Sequence, residues 1–263
     1  MFGFFKRQPQ PVRIPDDCVV WAVGDVHGRA DLLGALLAEI RADLDRSNLS
    51  RRIVVMLGDY VDRGAESRRV LDILSDLSVV SELETHFLWG NHEDRFLAFM
   101  SEPLTGPSWC DFGGRETLWS YGIQAPSPRA AEQDWIEAAR AMSAALPETH
   151  RRFLSQLEWS FELGGYFFAH AGARPGVTLS DQAERDLIWI RAEFLDGRKA
   201  FERMVVHGHT PESEIQNDHR RIGLDTGAYA TGVLSGLRLE GTRRSVLQTS
   251  VRGDRIAVVR ADI

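Results

Sequence analysis

The sequence contains only two cysteines, Cys18 and Cys110, which lie far apart and form no Cys-x-x-Cys pair. A disulfide framework and a zinc ribbon both need clustered cysteines, so neither is expected. The chain also lacks a low-complexity tract and any repeat at a solenoid period. Its 263 residues should therefore fold around an ordinary hydrophobic core, as one large α/β domain or two small ones.

Membrane and nucleic-acid signals are also missing. No run approaches the roughly 18 apolar residues of a membrane span, and the apolar N-terminal stretch is too short for a signal peptide. The formal net charge of -7 provides no general basic face for coating nucleic acid. We therefore expect a cytoplasmic protein that binds neither a membrane nor a nucleic-acid backbone, with a flexible leader over 1–15 and the folded domain over 16–263.

What is present begins with three β-strand, loop and α-helix units in succession. Short apolar runs at Cys18–Val23, Ile53–Leu57 and His86–Trp89 each end at a polar loop, and an apolar helical stripe follows each loop. Successive units of this kind predict a largely parallel sheet whose ligands bind beyond the carboxyl ends of the strands.

The segment from Ser101 to Leu157 has no clear strand pattern and is rich in alanine, proline, glycine and tryptophan. We interpret it as a helical cap inserted into the sheet domain over about 101–157. The tryptophans in and just after it are expected to pack in the core, because large aromatic side chains mostly do. They are Trp109, Trp119, Trp135 and Trp159.

The strand pattern resumes after this segment. Its first two runs are Tyr166–Ala169 and Met204–Val206. The later runs are spaced as in an antiparallel meander, which favours a second sheet packed on the first. These later runs are Ile222–Leu224, Val233–Leu239, Ser245–Thr249 and Ile256–Val259.

Five polar motifs contain the residue types that bind metal ions, and each follows a predicted strand. The motifs are GDVHGR, GDYVDRG, GNHE, HAG and HGHT. Phosphate monoesters hydrolyse extremely slowly without a catalyst, and two closely spaced metal ions can supply both the nucleophile and the charge stabilisation. The candidate ligands are Asp25, His27, Asp59, Asn91, His170 and His209.

The order of these motifs resembles that of the bacterial phosphoprotein phosphatases in the calcineurin-like metallophosphoesterase superfamily. The resemblance implies an αββα sandwich, with two mixed β-sheets flanked by helices and a helical cap insertion. It also implies that Asp25, His27 and Asp59 hold one metal ion, and that a second ion is held by Asp59, Asn91, His170 and His209. Oxygen and imidazole donors without thiolate suit manganese, with iron or zinc as alternatives.

The same resemblance assigns roles around the metal ions. His92 would act as general acid with Asp62 as its partner, and Arg63, Arg191 and Asn91 would bind the substrate phosphate. Arg174, which follows HAG, is a further candidate for a phosphate contact. His207 is expected to support the ligand His209 without binding metal itself.

The expected function is hydrolysis of phosphomonoesters, most of all phosphoserine and phosphothreonine in proteins or peptides, with small phosphoesters included if specificity is broad. Two features keep a dinucleotide polyphosphate open as an alternative substrate. Trp89 stands directly before GNHE where some relatives have arginine, and the GLDTGAYATG stretch resembles the bacterial phosphatases and the symmetrical diadenosine tetraphosphatases. A metal-bound scaffold without turnover is a third reading, disfavoured because the whole ligand set is present.

Overall fold

We describe residues 11–263 in a computed structural model of the chain. Most of the leader predicted over 1–15 lies outside these residues. Of the part that is described, Ile14 is buried and its backbone N–H donates to the carbonyl of Gly241. The packed structure therefore begins at least four residues before the first predicted strand.

Within this range eleven strands alternate with helices and turns. The strands are β1 (Cys18–Val23), β2 (Arg51–Met56), β3 (Glu84–Phe87), β4 (Phe161–Leu163), β5 (Tyr166–Phe168), β6 (Met204–His207), β7 (Gln216–Asn217), β8 (Arg221–Gly223), β9 (Ser235–Glu240), β10 (Arg243–Arg252) and β11 (Arg255–Asp262). The helices are α1 (Ala30–Arg46), α2 (Ser67–Leu77), α3 (Asn91–Ser101), α4 (Gly106–Trp109), α5 (Arg115–Ser120), α6 (Glu132–Ala145), α7 (Glu148–Ser155), α8 (Glu184–Trp189), α9 (Ala192–Leu195) and α10 (Ala228–Thr231).

The strands form two mixed sheets, which confirms the predicted αββα architecture. The first has the order β11-β10-β9-β1-β2-β3, and the second has the order β4-β5-β6-β8-β7. β1 is parallel to β2, and β2 is parallel to β3, as the three βα units predicted. β5, β6 and β8 are likewise parallel neighbours in the second sheet.

The alternation of side chains along β1 explains the layers. All six residues of β1 are buried, because helices cover one face of its sheet and the second sheet covers the other. Trp21 packs in the core beneath α1 and α2, whereas Val20 packs in the core between the sheets. In the second sheet, Val206 faces the first sheet while Val205 packs with residues of α8 and α9.

The later strands differ from the prediction in their partners. β9, β10 and β11 do form an antiparallel meander, but β9 pairs with β1 and thus extends the first sheet. The predicted run Ile222–Leu224 belongs instead to β8, which lies parallel to β6 in the second sheet. The second sheet packed on the first is confirmed, but the last three predicted runs do not join it. Turn spacing identifies the strands of a meander but says nothing about the sheet to which they pair.

The segment from 101 to 157 is helical, as expected, and supplies α4 to α7. Trp109 and Trp135 are only 2% exposed and pack against α3. Trp159 stacks on Trp89 with ring centroids 5.3 Å apart. Trp119 departs from the expectation of core packing, because it is 49% exposed.

No helix among residues 11–263 combines the length and the apolar character that crossing a membrane would require.

Candidate metal centre

The predicted ligands lie just beyond the carboxyl ends of five strands, three in the first sheet and two in the second. Parallel strands bring such ends to the same edge, so residues distant in sequence meet there. Asp25 and His27 follow β1, Asp59 follows β2, Asn91 follows β3, His170 follows β5, His209 follows β6 and Asp225 follows β8. Asp225 was not among the predicted site residues, although it follows a predicted strand in the same way as the others.

The backbone is strained at this edge. Among residues 11–263, five non-glycine residues have positive φ, a conformation that side chains disfavour by about 1–3 kcal/mol each. All five are predicted site residues. They are His27, Asp59, Asp62, Arg63 and His209, with φ between 44° and 72°. Such strain persists only where the surrounding structure imposes it, and it is concentrated at functional sites.

Two imidazoles are oriented from behind by backbone carbonyls. The Nδ1 of His27 donates to the carbonyl of Val61 at 3.0 Å, and the Nδ1 of His170 donates to the carbonyl of Leu57 at 2.8 Å. Each ring therefore turns its Nε2 toward Asp59, at 3.5 Å for His27 and 3.3 Å for His170. A fixed Nδ1–H with Nε2 turned toward the other candidate ligands is the usual arrangement of a metal-binding histidine.

Two groups of side chains have ligand atoms close enough to hold a metal ion. One consists of His27, Asp59 and His92, and the other consists of Asp59, His170 and His209. Asp59 belongs to both. The Nε2 of His209 is buried without a hydrogen-bond partner among the described residues. An orphaned imidazole nitrogen beside a shared carboxylate fits bound metal, because a buried polar atom without a partner is otherwise costly.

Asp25 and Asn91 lie beside these groups and make other contacts. The carboxylate of Asp25 accepts the backbone N–H of His209 at 3.0 Å, and Asn91 Oδ1 lies 3.0 Å from His170 Nε2. Both side chains are buried next to a predicted ligand. Their place in the ligand set stays a prediction.

The electrostatics of the cavity favour cations. Burial, together with the neighbouring carboxylates of Asp225 and Asp59, raises the pKa of Asp25 well above its ordinary value. Burial lowers the pKa of His27 to about 3 and that of His209 to about 2, so both imidazoles are neutral. Neutral imidazoles offer lone pairs, and crowded buried carboxylates need positive charge, so this donor set suits divalent metal ions.

Glu93 organises the loop that carries Asp59. Its buried carboxylate accepts backbone N–H groups from Asp59 at 2.9 Å, Tyr60 at 2.8 Å, Val61 at 3.1 Å and Gly90 at 3.1 Å. The glutamate of GNHE received no role from the sequence, because its function depends on a loop 33 residues away. It satisfies three donors that the turn at Asp59 leaves without strand partners, and a fourth, the N–H of Gly90, at the start of α3.

The predicted pair of His92 and Asp62 is in direct contact. His92 Nδ1 donates to Asp62 Oδ2 at 2.7 Å, and Asp62 also accepts from Trp109 Nε1 at 2.8 Å and from Thr117 Oγ1 at 2.6 Å. Burial by itself lowers the pKa of His92, but the carboxylates of Asp59 and Asp62 outweigh it and raise this pKa to about 9. The helical segment between 101 and 157 thus holds the carboxylate that orients His92.

Arg63 is held from two sides. Its backbone N–H donates to the carbonyl of Gly113, and its guanidinium donates to the hydroxyl of Tyr229 at 2.6 Å while lying 4.7 Å from that ring's centroid. The Nε of Arg63 is buried without a partner among the described residues. Arg63 and Arg191 line a cavity of about 120 Å³ together with His27, Asp59, His92 and His209. Tyr229 was not foreseen, because nothing in the sequence links it to Arg63.

Two other predicted residues face elsewhere. Arg174 forms a two-pronged ion pair with Asp186, with both distances 2.6 Å, and it lines a neighbouring cavity. His207 is buried, with Nδ1 donating to the carbonyl of Gly208 and Nε2 accepting from Arg221. It therefore contacts the loop that leads to His209, and its role in supporting that ligand stays a prediction.

Residues 18–235 match the model of the calcineurin-like phosphoesterase family. The chain belongs to this family, as its motifs had indicated, and it is a phosphoester hydrolase of the metallophosphoesterase type whose His/Asp groups could bind metal ions.

Named relatives divide between two activities. The chain is 27% identical to serine/threonine-protein phosphatase 1 of Salmonella typhimurium, over 84% of this chain and 92% of the relative. It is 23% identical to the asymmetrical bis(5'-nucleosyl)-tetraphosphatase PrpE of Halalkalibacterium halodurans, over 82% and 88%. The crystal structure of a candidate diadenosine tetraphosphatase is similar in fold, with a TM-score of 0.57 and 20% identity over 95% of this chain and 96% of that one.

Proposed function

We propose that this protein is a phosphomonoesterase of broad specificity that uses two divalent metal ions and acts on phosphoserine and phosphothreonine in proteins or peptides. The observation that carries the proposal is the position of Asp59. Its carboxylate is shared by two groups of possible metal ligands and lies 3.9 Å from Nε2 of His92. One residue thus joins both candidate metal positions to a candidate proton donor.

In this proposal the ions are held by Asp25, His27, Asp59, Asn91, His170 and His209, and manganese fits the donors, with iron and zinc as alternatives. When bound, such ions supply Lewis-acid activation of the phosphoryl group and a nucleophilic water near neutral pH. Arg63 and Arg191 bind phosphoryl oxygens with their planar guanidinium groups. His92 keeps its Nδ1–H, which donates to Asp62, and gives its Nε2 proton to the leaving oxygen as a general acid.

A second candidate is hydrolysis of a dinucleoside tetraphosphate. It is favoured by a cavity of about 870 Å³ that adjoins the site and shares Arg191 with it. A substrate with several phosphates and two nucleosides needs more room than a phosphorylated side chain.

The test compares phosphate release by metal-free and Mn²⁺-loaded protein. Phosphoserine and phosphothreonine peptides, p-nitrophenyl phosphate and diadenosine tetraphosphate are the substrates. We expect the peptides to be cleaved with Mn²⁺ and activity to disappear with a chelator and return with metal. Cleavage of the dinucleotide alone would support the second candidate, whereas no turnover of any substrate with metal bound would indicate a scaffold.

Replacing Tyr229 by phenylalanine tests the support of Arg63. The variant keeps the ring but loses the hydroxyl at 2.6 Å from the guanidinium. We expect KM and the inhibition constant of inorganic phosphate to rise about 3- to 10-fold with a smaller change in kcat. The lost hydrogen bond to a charged group contributes roughly 1.5–3 kcal/mol, of which only a part affects phosphate because the hydroxyl acts through Arg63. A fall in kcat alone would contradict a role in phosphate binding.

A further inference from the structure

A second cavity of about 300 Å³ opens beside the candidate metal centre. It shares Arg63, His92 and Arg191 with the 120 Å³ cavity that contains the shared carboxylate. The remaining lining residues are Asn91, Arg95, Ser108, Trp109, Phe112 and Trp189. The wall of this cavity is thus partly the predicted catalytic machinery and partly aromatic.

The aromatic part of the wall is anchored to the site at two points. The ring of Trp189 lies 6.3 Å from that of His209, centroid to centroid, and the guanidinium of Arg95 lies 5.0 Å from its centroid. Phe112 is 63% exposed and lies in the turn Cys110–Gly114, whose Gly113 carbonyl accepts the backbone N–H of Arg63. The ring of Trp189 is therefore held beside the site, and the backbone of the turn that carries Phe112 is tied to Arg63.

The proposed reaction determines which part of a substrate reaches this cavity. His92 donates its proton to the leaving oxygen, so the group carried by that oxygen lies on the His92 side of the phosphate. His92 lines both cavities, whereas the shared carboxylate of Asp59 lines only the smaller one. The phosphoryl group thus occupies the smaller cavity, and its substituent occupies the larger one.

The chemistry of the lining selects the substituent. An exposed phenylalanine is unfavourable in water and gains from stacking on a flat apolar group. Among residues 11–263, no carboxylate forms an ion pair with Arg95 or Arg191, so both cations are available to an anionic substrate. Aromatic side chains next to arginines are suited to bind a ligand in which a planar ring lies close to a phosphate.

We propose that this cavity, the leaving-group subsite, binds a planar aromatic group carried on the leaving side of the phosphoester. The inference rests on the proposed function, because it takes hydrolysis at the metal centre and the role of His92 as given. Within a broad phosphomonoesterase activity, it makes esters with an aromatic substituent the preferred substrates. The ring belongs either to a phosphotyrosine side chain or to the base of a nucleotide.

For each variant, the experiment measures the kcat/KM of an aromatic substrate divided by that of its aliphatic counterpart. The intrinsic reactivity of the two substrates is the same for every variant, so a change in this ratio reports on the protein. One pair is a phosphotyrosine and a phosphothreonine peptide of otherwise identical sequence, and the other is adenosine 5'-monophosphate and ribose 5-phosphate. We expect Phe112→Ala and Trp189→Ala each to lower the aromatic-to-aliphatic ratio about tenfold, and Trp189→Phe to restore most of it. The pair whose ratio falls identifies the source of the ring.

The matched control is Trp119→Ala. Trp119 is also exposed and also has an arginine over its ring, Arg115 at 6.0 Å, but it lines neither the 300 Å³ nor the 120 Å³ cavity. The aromatic-to-aliphatic kcat/KM ratio of Trp119→Ala should equal that of the parent protein. Metal content is measured for every variant, because Trp189 contacts His209. If Trp189→Ala loses metal, the comparison rests on Phe112→Ala.

A second readout does not need turnover. Benzylphosphonate and methylphosphonate compete for the phosphate position, and we expect Phe112→Ala to abolish the preference for the benzyl compound. The subsite would be overturned if metal-loaded Phe112→Ala and Trp189→Ala kept the parent's aromatic-to-aliphatic kcat/KM ratios for both substrate pairs and its preference for benzylphosphonate. Absence of phosphate release from all four substrates by the parent protein would instead overturn the proposed function.

Discussion

Replacing His92 by asparagine is expected to lower kcat about 10²- to 10⁴-fold while both metal ions remain bound. The variant keeps a polar side chain near Asp62 but removes the Nε2 proton that the proposal assigns to the leaving oxygen. Elemental analysis of the purified protein and steady-state kinetics with a phosphothreonine peptide measure the two quantities. The loss should shrink for p-nitrophenyl phosphate, whose leaving group needs little protonation.

The metal measurement decides between two roles that the geometry allows. His92 stands in one of the possible ligand groups with His27 and Asp59, so it could bind metal instead of donating a proton. Loss of a metal ion in His92→Asn would contradict the general-acid role. His219→Asn is the control, because His219 is exposed and belongs to no such group.

Replacing Glu93 by alanine is expected to destabilise the protein by about 3 kcal/mol or more even in the absence of metal. The substitution leaves four backbone N–H groups without their acceptor, and each buried unsatisfied donor costs about 1–3 kcal/mol, reduced where water enters. In a domain of this size, 3 kcal/mol corresponds to a decrease in Tm of roughly 6–12 °C. Thermal unfolding of chelator-treated protein measures it.

Two further variants sharpen this test. Glu93→Gln retains one acceptor oxygen and should lose less stability than Glu93→Ala. Glu132→Ala removes an exposed glutamate from the first turn of α6 and should change the Tm by no more than a degree or two. Equal melting temperatures for Glu93→Ala and the parent would mean that water or a shifted backbone satisfies the Asp59 loop.

The two strand-end motifs GDVHGR and GDYVDRG show why so much of the site could be predicted from sequence. Each joins a buried β-branched strand to a polar loop, and the carboxyl ends of parallel strands meet, so Asp25, His27 and Asp59 had to come together. The contact of His92 with Asp62 was also foreseen, from the resemblance to phosphoprotein phosphatases. What the motifs did not specify is orientation, which depends on the carbonyls of Val61 and Leu57 behind the two imidazoles.

The residues missed from the sequence are those whose role depends on distant partners. Tyr229 meets Arg63 across 166 positions, and Trp109 and Thr117 meet Asp62 across 47 and 55. Asp225 is different, since it follows a predicted strand and the strand-end rule would have found it. Applying that rule to every predicted strand, and not only to those within recognised motifs, would have added it to the candidates.

The sequence by itself determined the class of chemistry, because the ligand types and their strand-end positions are local properties that short motifs encode. Only the tertiary structure decided which sheet β8 and β9 join. It also decided that the helical segment from 101 to 157 donates hydrogen bonds to Asp62, and that Phe112 and Trp189 line one cavity beside His92. Those features depend on pairings and packing between segments far apart in the chain. Local pattern and periodicity contain no information about them, since many arrangements bury the same apolar faces.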